Sequence, residues 1–339
     1  MRTPALPADA LAALPGLAAF GRTATRLHPR PGTVTAQDSH VGGPLRWPAD
    51  EPWPLCEHPH MVNEEVPLPQ ELLDRLAAAQ RGRTQHNIIT DEEAVLHEEL
   101  ATLVGPGFAG WGSMGGPTMG FRYVPRPHAN PMLAVAQLRA ANVPDLPTPG
   151  GADLLQVLWC PFEHAQDDEG VWGPTMRLVW RREADVTGPL ATAPDSAVGD
   201  DGYVPAPCRL HPEQIVEYPY PQELPEPLQD QAKNWPGDYV TMFMAPGWKV
   251  GGYAKWQLTD LRPTPCRVCA GPTRLLLVID SGESNATARW RPVEEAGADP
   301  GTLGYDADEP TGVVVGRWGA LRVFVCPTCP GAPFRLDQQ

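Results

Sequence analysis

Two Cys-x-x-Cys pairs constrain this chain more than any other feature. Cys266 and Cys269 form the first pair, and Cys326 and Cys329 form the second, near the C-terminus. Four thiolates in two tight turns can surround Zn²⁺ tetrahedrally, and such a site leaves no coordination position for a substrate. Because a long segment separates the pairs, the metal would connect two distant parts of the fold. We predict one structural zinc ion, in preference to a redox-active dithiol or to cysteines without a ligand.

The cysteine count also favours a metal over a disulfide framework. The chain has seven cysteines, an odd number, and four of them belong to the two pairs. The apolar run Leu11–Phe20 raises the question of a signal peptide, but Pro15 interrupts it and no convincing cleavage site follows. No apolar stretch has the length of a membrane span. We therefore expect a cytoplasmic protein that does not bind membranes.

A glycine–tryptophan motif occurs twice in the chain. Val41–Trp47 and Val250–Trp256 share a valine, two glycines, a basic residue and the tryptophan at the same spacing. A cysteine follows each motif at a similar distance, and each half later has an apolar strand that ends in Cys-Pro. The corresponding cysteines are Cys56 and Cys160 in the first half and Cys266 and Cys326 in the second. This common order predicts an internal duplication, with chance similarity among common residue types as the alternative.

Composition and patterning predict an α+β fold that is mainly β. The 42 prolines and 33 glycines favour short strands and loops over a helical bundle. Apolar residues at helical spacing predict two helices, over Leu68–Ala79 and Asp91–Val104. The predicted strands are Met132–Leu138, Leu154–Cys160, Met176–Arg181, Arg274–Asp280, Gly312–Val315 and Leu321–Cys326.

Two related β-rich halves are expected to form one compact unit. The predicted segments are an N-terminal helical segment over 1–37, a first half over 38–185, a polar connection over 186–202, and a second half over 203–339 that contains the zinc site. The first half also contains a helical insertion over 65–120. Its glycine-dense end, 105–120, is expected to be a loop.

The first half contains further residues of metal-binding type at short spacing. They are Cys56, His58, Cys160, His164, Cys208 and His211. Mixed Cys/His zinc sites exist, so these residues are candidates for a second metal. Because their spacing is irregular, buried cysteines and ordinary surface histidines are the alternative.

The two glycine–tryptophan motifs could also line a binding pocket. The candidate binding residues are Gly42, Gly43, Trp47, Lys249, Gly251, Gly252 and Trp256. Only three lysines occur in the chain, and two of them, Lys249 and Lys255, flank the second glycine pair. Such glycines more often serve a bulge or a positive-φ turn under a packed tryptophan, so we favour a structural role. No motif identifies a catalytic residue.

Together these features resemble the YwqG-like family, a bacterial domain of unknown function. The matching pieces are the motif Val41–Pro48, the strand Leu133–Leu138, the motif Lys249–Gln257, the strand Leu275–Ser281 and the terminal cysteine pairs. A more distant similarity is to eukaryotic programmed-cell-death-two-like proteins, which share a Gly-Gly-x-x-x-Trp element near cysteine knuckles. That similarity implies a dedicated chaperone for a ribosomal protein. The insertion at 65–120 departs from the simple family pattern.

Charge and the lack of a catalytic motif decide among the function classes. The formal net charge of −15 disfavours nucleic acid, because Lys and Arg drive phosphate binding, and it suits a basic partner. We predict a non-enzymatic zinc-containing binding protein, a chaperone or adaptor for a basic protein segment. The alternative is a metal-dependent hydrolase-type enzyme at the Cys/His residues of the first half, where three ligands would leave a position for water. A zinc ribbon that binds nucleic acid is the third class.

Overall fold

The structure is a computed structural model that describes residues 1–83, 88–112, 118–126, 128–165, 172–256, 261–298 and 303–338. Gln257, the last residue of the second motif, lies outside the described residues. The α-helices are α1 Ala8–Ala12, α2 Gln70–Arg81, α3 Asp91–Val104, α4 Glu226–Lys233 and α5 Tyr239–Phe243. The strands, in chain order, are β1 Arg22–Arg26, β2 Arg30–Pro31, β3 His40–Val41, β4 Leu55–Cys56, β5 His60–Pro67, β6 Phe108–Gly112, β7 Met119–Arg126, β8 Asn130–Pro131, β9 Leu133–Arg139, β10 Leu154–Ala165, β11 Trp172–Arg181, β12 Cys208–Arg209, β13 Glu213–Glu217, β14 Lys249–Gly251, β15 Arg274–Asp280, β16 Ala320–Val325 and β17 Phe334–Gln338.

The strands divide the chain into two compact units. The larger unit contains Met1–Cys56 and Asn130–Gln339, and the smaller contains Glu57–Ala129. The larger unit has two six-stranded sheets with antiparallel pairing throughout. Sheet I has the order β13-β1-β14-β15-β16-β17, and sheet II has the order β11-β10-β9-β3-β12-β2.

Alternation along the central strands builds a core shared by the two sheets. On β10, Leu155, Val157 and Trp159 belong to the same buried cluster as Leu276 and Ile279 of β15. The intervening residues of β10 face the other side of sheet II, since side chains alternate along a strand. Both faces of these strands are therefore buried, which explains their nearly continuous apolar sequence.

Each glycine–tryptophan motif covers the outer face of one sheet with its tryptophan. Trp47 packs with Leu158 and Cys160 of β10 in one cluster. Trp256 packs with Val278 of β15 and Phe324 of β16 in another. The strands that carry the motifs, β3 and β14, occupy corresponding positions in their sheets. β3 pairs with β9, which pairs with β10; likewise β14 pairs with β15, which pairs with β16.

The smaller unit combines a three-stranded sheet, ordered β5-β7-β6, with α2 and α3. The two helices pack through a stripe of apolar residues at helical spacing, which includes Leu72, Leu76, Leu96 and Leu100. Thr90 begins α3 with a capping box, in which its side chain accepts from the backbone N–H of Glu93. This cap explains why the start of α3 was predictable to the residue.

The predicted fold class, α+β and mainly β, is confirmed, and so are the two helices. None of the described helices combines the length and the apolar character that a membrane crossing requires. Three local predictions were wrong. Gly312–Val315 is not a strand: the backbone N–H groups of Val313 and Val315 donate to the hydroxyl oxygens of Thr311 and Ser281 instead of to a neighbouring strand, although both valines are buried.

The other two errors concern strands that the sequence patterns concealed. Part of the expected glycine-dense loop is β6, which pairs with β7 and uses Gly110 at a register shift, as glycine allows at a bulge. The segment 1–37, expected to be helical, is helical at Ala8–Ala12 and Leu17–Phe20 but also contains β1, in the interior of sheet I. Arg26 ends that strand fully buried, so its charge gave the strand the appearance of a surface segment.

Candidate metal centres and a candidate binding groove

The two Cys-x-x-Cys pairs converge on one point. The sulfur atoms of Cys266, Cys269, Cys326 and Cys329 all lie within 4.8 Å of one another. The Sγ atoms of Cys269 and Cys326 are 3.7 Å apart, and those of Cys266 and Cys329 are 4.0 Å apart. Four sulfurs at zinc's usual bond length would be separated by about 3.8 Å in a tetrahedron. The donor set and its spacing therefore fit a closed zinc site.

Backbone N–H groups in these turns donate to the cysteine sulfur atoms and so favour the thiolate form. Gly271 donates to Cys269 Sγ at 3.4 Å, and Cys329 donates to Cys326 Sγ at 3.4 Å. The Thr328 hydroxyl, together with backbone N–H groups, lowers the pKa of Cys326 to about 6. The neighbouring thiols, Cys269 first, raise the pKa of Cys329 to about 12. A cation in the centre would supply the positive charge that lets all four sulfurs ionise together.

A second cluster contains Cys56, His60, Cys160 and His164. One ligand atom from each lies within 4.8 Å of the others, and all four residues are buried. Cys56 Sγ and His164 Nε2 are 3.7 Å apart. A tetrahedral zinc ion with usual Zn–S and Zn–N bond lengths separates such ligands by about 3.6 Å. The set is therefore of the Cys₂His₂ type, and it fits zinc.

Strand geometry positions the second cluster. Cys160 and His164 are four residues apart on β10, and a register shift in the pairing with β11 falls between Trp159 and Glu163. Such an irregularity changes the direction of side chains, and both residues are buried. Cys56 ends β4 opposite Asn130 of β8, and His60 begins β5. The Asn130 amide contacts Cys160 Sγ at 3.7 Å and also donates to Ala197 O at 2.9 Å. Cys56, and then burial, raise the pKa of the Cys160 thiol.

The structure brings together only part of the predicted second set. Cys56, Cys160 and His164 are in the cluster. His58 is exposed, and His60 is the fourth member of the cluster in place of His58. Cys208 and His211 are not in the cluster. The Cys208 thiol donates to Pro310 O at 3.2 Å, and burial raises its pKa to about 11. The missed signal was the repeated Cys-x-x-x-His spacing of Cys56–His60 and Cys160–His164.

All seven cysteines lie within the described residues, and none of them is in a disulfide. This state agrees with the metal-ligand interpretation of six of them.

The candidate binding residues of the two motifs pack against other parts of the larger unit. Trp47, Trp256 and Lys249 are buried. A β-carbon on Gly42 would lie 2.5 Å from the carbonyl oxygens of Pro205 and Ala206, so this glycine makes room for the chain itself. A β-carbon on Gly43 or Gly252 would be closer still to other side chains, and Gly251 has a positive φ of 77°, which disfavours a side chain there. These contacts explain the glycines without a ligand.

A buried basic side chain supports each motif. Lys249 Nζ lies 2.7 Å from both carboxylate oxygens of Glu217 and donates to Tyr253 O at 2.9 Å. His40, which holds the same place in the first motif, has its Nε2 3.1 Å from Pro44 O. Burial lowers the pKa of His40. In both motifs the residue before the valine therefore contacts the carbonyl group four residues later.

The smaller unit presents a groove between α2 and α3 that sequence patterns did not indicate. Its volume is about 770 Å³. Its apolar lining includes Leu72, Val95 and Leu103, and its charged lining consists of Glu71, Arg75, Glu98 and Glu99. Val95 is 62% exposed and Leu103 is 46% exposed, although both are apolar residues of α3. Arg75 pairs with Glu99 at 3.2 Å, which leaves Glu71 and Glu98 to set the charge of the rim.

No protein-family model matches this chain, and no curated protein shows a significant match to it. The geometry of the metal clusters and of the groove is therefore the basis for a functional proposal.

Proposed function

We propose that this chain is a zinc-containing, non-enzymatic binding protein that holds a basic, partly apolar segment of another protein in the groove between α2 and α3. The observation that carries the proposal is the combination of exposed apolar side chains with an acidic rim. α3 has five acidic residues and neither lysine nor arginine. A partner helix with apolar anchors and flanking Lys or Arg residues would match both features.

The charge of the whole chain supports the same class of partner. A net charge of −15 attracts basic segments and repels polyanions. The expected similarity to chaperones of a ribosomal protein agrees with a basic client. Disulfide-free cysteines also suit a reducing compartment, and we place the protein in the cytoplasm for that reason.

Both metal clusters are proposed to hold structural zinc. A hydrolase-type site needs an open position for water, whereas each cluster offers four ligand atoms within 4.8 Å of one another. In the second cluster all four ligands are buried, so a substrate would have no access to the ion. These features favour the binding protein over the enzyme.

We also propose that the two β-rich halves are repeats of one metal-connected unit. In each half, one ligand pair begins at the cysteine after the glycine–tryptophan motif, and the other begins at the Cys-Pro of a central strand. The first half adds a histidine four residues later, and the second adds a cysteine three residues later. The matching contacts of His40 and Lys249 support the same origin. Superposition of the halves should place Gly42 on Gly251 and Cys160 on Cys326.

The binding proposal is tested by comparing captured proteins between the wild type and a groove variant. Val95→Asp combined with Leu103→Asp places charge on the apolar lining without touching the helix–helix core. Val293→Asp, at another exposed apolar position of similar exposure (47%), is the matched control. Protein captured by the wild type and by the control, but not by the groove variant, is then purified and titrated directly.

Support requires a basic partner whose direct affinity falls at least about tenfold in the groove variant and falls as salt increases. If the groove variant binds the same partner as tightly as the wild type does, the groove is not the site. A partner without a basic segment would also contradict the proposal.

A further inference from the structure

A small pocket lies on sheet I beside the second glycine–tryptophan motif, within the larger unit. Its volume is about 170 Å³. Among the described residues, four cationic side chains contribute to its lining, with Asp280 as the one acidic residue and Trp318 as an exposed aromatic residue. The cations are Lys249, Lys255, Arg317 and Arg322. This concentration of positive charge is notable in a chain with only three lysines and a net charge of −15.

Two of the four cations have acidic partners. Lys249 is paired with Glu217, and Arg322 is paired with Asp337. Within the described part of the chain, the side chains of Lys255 and Arg317 form neither an ion pair nor a hydrogen bond. Among the described residues, Asp280 and Asp238 therefore act on Lys255 only at longer range, without a direct ion pair.

The one carboxyl group of the lining does not neutralise this charge efficiently. Asp280 accepts from the backbone N–H groups of Gly247 at 2.9 Å and Gly282 at 3.2 Å. Burial raises the pKa of Asp280 and lowers the pKa of Lys255. The two groups are not within ion-pair distance, since no contact shorter than 4.0 Å joins them.

A buried donor in the same lining also lacks an acceptor. Arg322 has a side chain that is only 1% exposed, and its Nε–H has no hydrogen-bond partner among the described residues. Its guanidinium group lies 4.4 Å from the ring centroid of Trp256. A buried donor without an acceptor is costly, and such groups often mark a place where a ligand or an ion completes the structure.

Backbone strain is concentrated beside the pocket. Asn285 and Trp318, which line it, have positive φ angles of 49° and 54°, and Ala286 has 53°. Residues with side chains avoid this region unless their surroundings impose it, and such residues cluster at functional sites.

The corresponding side chain of the first motif has a contact that Lys255 lacks. Arg46 holds the position that corresponds to Lys255, and its guanidinium group donates to Val186 O at 3.2 Å, although its Nε–H has no partner among the described residues. The ammonium group of Lys255 has no hydrogen bond within the described part of the chain.

We infer that the pocket binds a small oxyanion, a carboxylate or phosphate group, through Lys255 and Arg317. The volume accommodates a few water molecules, and hence such a group, but not a nucleotide. The anion would compensate the two cations, and ammonium and guanidinium groups make strong charge-assisted hydrogen bonds to these oxygens. The site is separate from the α2–α3 groove, so the inference does not depend on the proposed basic partner.

The three lysines make a direct test feasible. In zinc-loaded protein with ¹³C-labelled lysine side chains, each lysine gives its own NMR signal. Lys233→Met and Lys255→Met assign two of the signals, and the third then belongs to Lys249. Titration with inorganic phosphate, or with acetate, at constant ionic strength should shift the Lys255 signal saturably. Lys233, on the exposed side of α4, serves as the internal control. Bound phosphate should also raise the measured pKa of Lys255, because an anion favours the ammonium form.

Arg317→Met should weaken phosphate binding at least about tenfold, since it removes a charge-assisted contact. Lys233→Met should leave the affinity unchanged. A Glu-containing peptide is the second arm: tighter binding than acetate would assign the anion to a protein side chain, and weaker binding would assign it to a free small molecule. Equal, non-saturating shifts of all three lysine signals would show general salt screening and would overturn the inference. An unchanged Lys255 signal would overturn it too.

Discussion

Lys249→Met should destabilise the larger unit strongly, because it leaves a buried carboxylate without its counter-ion. Glu217 and Lys249 are each no more than 1% exposed in their side chains. Besides Lys249, Glu217 accepts only backbone N–H groups among the described residues, from Ala245 at 3.0 Å and Tyr253 at 2.5 Å. Methionine keeps most of the lysine's volume, so the main change is the lost charge. Removal of one partner of a buried ion pair typically costs about 3–5 kcal/mol.

Urea unfolding in zinc-saturated buffer measures this cost. For a chain of this size, with a slope near 3 kcal/mol per molar urea, the midpoint should fall by about 1–2 M while the slope stays constant. Glu217→Gln alone and the double variant complete the cycle. The double variant should be more stable than the sum of the single changes predicts, because it has no unpaired buried charge.

A different result would refute the structural role of Lys249. If Lys249→Met unfolds within about 0.3 M urea of the wild type, corresponding to less than about 1 kcal/mol, the ion pair does not support the motif. Strict additivity in the cycle would show that the two side chains do not interact. Either result would reopen a ligand-binding role for this lysine.

Three further predictions concern the metals and acid stability. Protein purified without added metal should contain two zinc ions per chain by elemental analysis; His164→Ala should reduce this to one, and His58→Ala should leave two. A chromophoric chelator should remove zinc faster from the cluster with exposed Cys269 than from the buried Cys₂His₂ cluster, and His164→Ala should abolish the slow phase. Burial would raise the pKa of Glu213, but hydrogen bonds from His28 and Thr3 outweigh it and lower the pKa to about 2. Since the unfolded value is near 4.5, this stabilisation is complete above that pH and is lost as the pH falls towards 2. Solvent screening reduces its size at this partly exposed site, and Glu213→Gln should flatten the corresponding slope of the unfolding midpoint against pH.

The residues of the Cys₄ cluster could be predicted because each half of that site is local. A Cys-x-x-Cys turn brings its two sulfurs together by backbone geometry alone, so only the meeting of the two turns depends on the fold. The Cys₂His₂ cluster is different. Cys160 and His164 lie on one strand, but their directions depend on a register shift between Trp159 and Glu163. Whether His58 or His60 joins them depends on how the chain leaves β4. Sequence spacing does not contain that information.

Buried charge explains most of what sequence patterns could not predict in the fold. Arg26 donates to Glu283 and to backbone carbonyl groups, and Arg30 pairs with Glu295 at 2.6 Å. Hydropathy predicts such residues to be on the surface, because it considers the polarity of each side chain by itself. Here the burial of the arginines depends on partners more than 250 positions away in the sequence. The strand β1 was hidden for this reason. The same lack of pairwise information concealed the ion pair of Lys249 and the unpaired state of Lys255.

The two metal clusters would stabilise a fold that contains many short strands. Many of its strands are only two or three residues long, and strands of that length add few ladder hydrogen bonds. In sheet II, the metal ligands join the segment after the first motif to β10, which lies two strands away from β3. In sheet I, they join the segment after the second motif to the end of β16, which lies two strands away from β14. A bound ion would therefore close a long loop across three strands, and its binding free energy would contribute directly to folding. Loss of either metal should then loosen one glycine–tryptophan motif before the shared core, since Trp47 and Trp256 lie on the outer faces and the core does not include them.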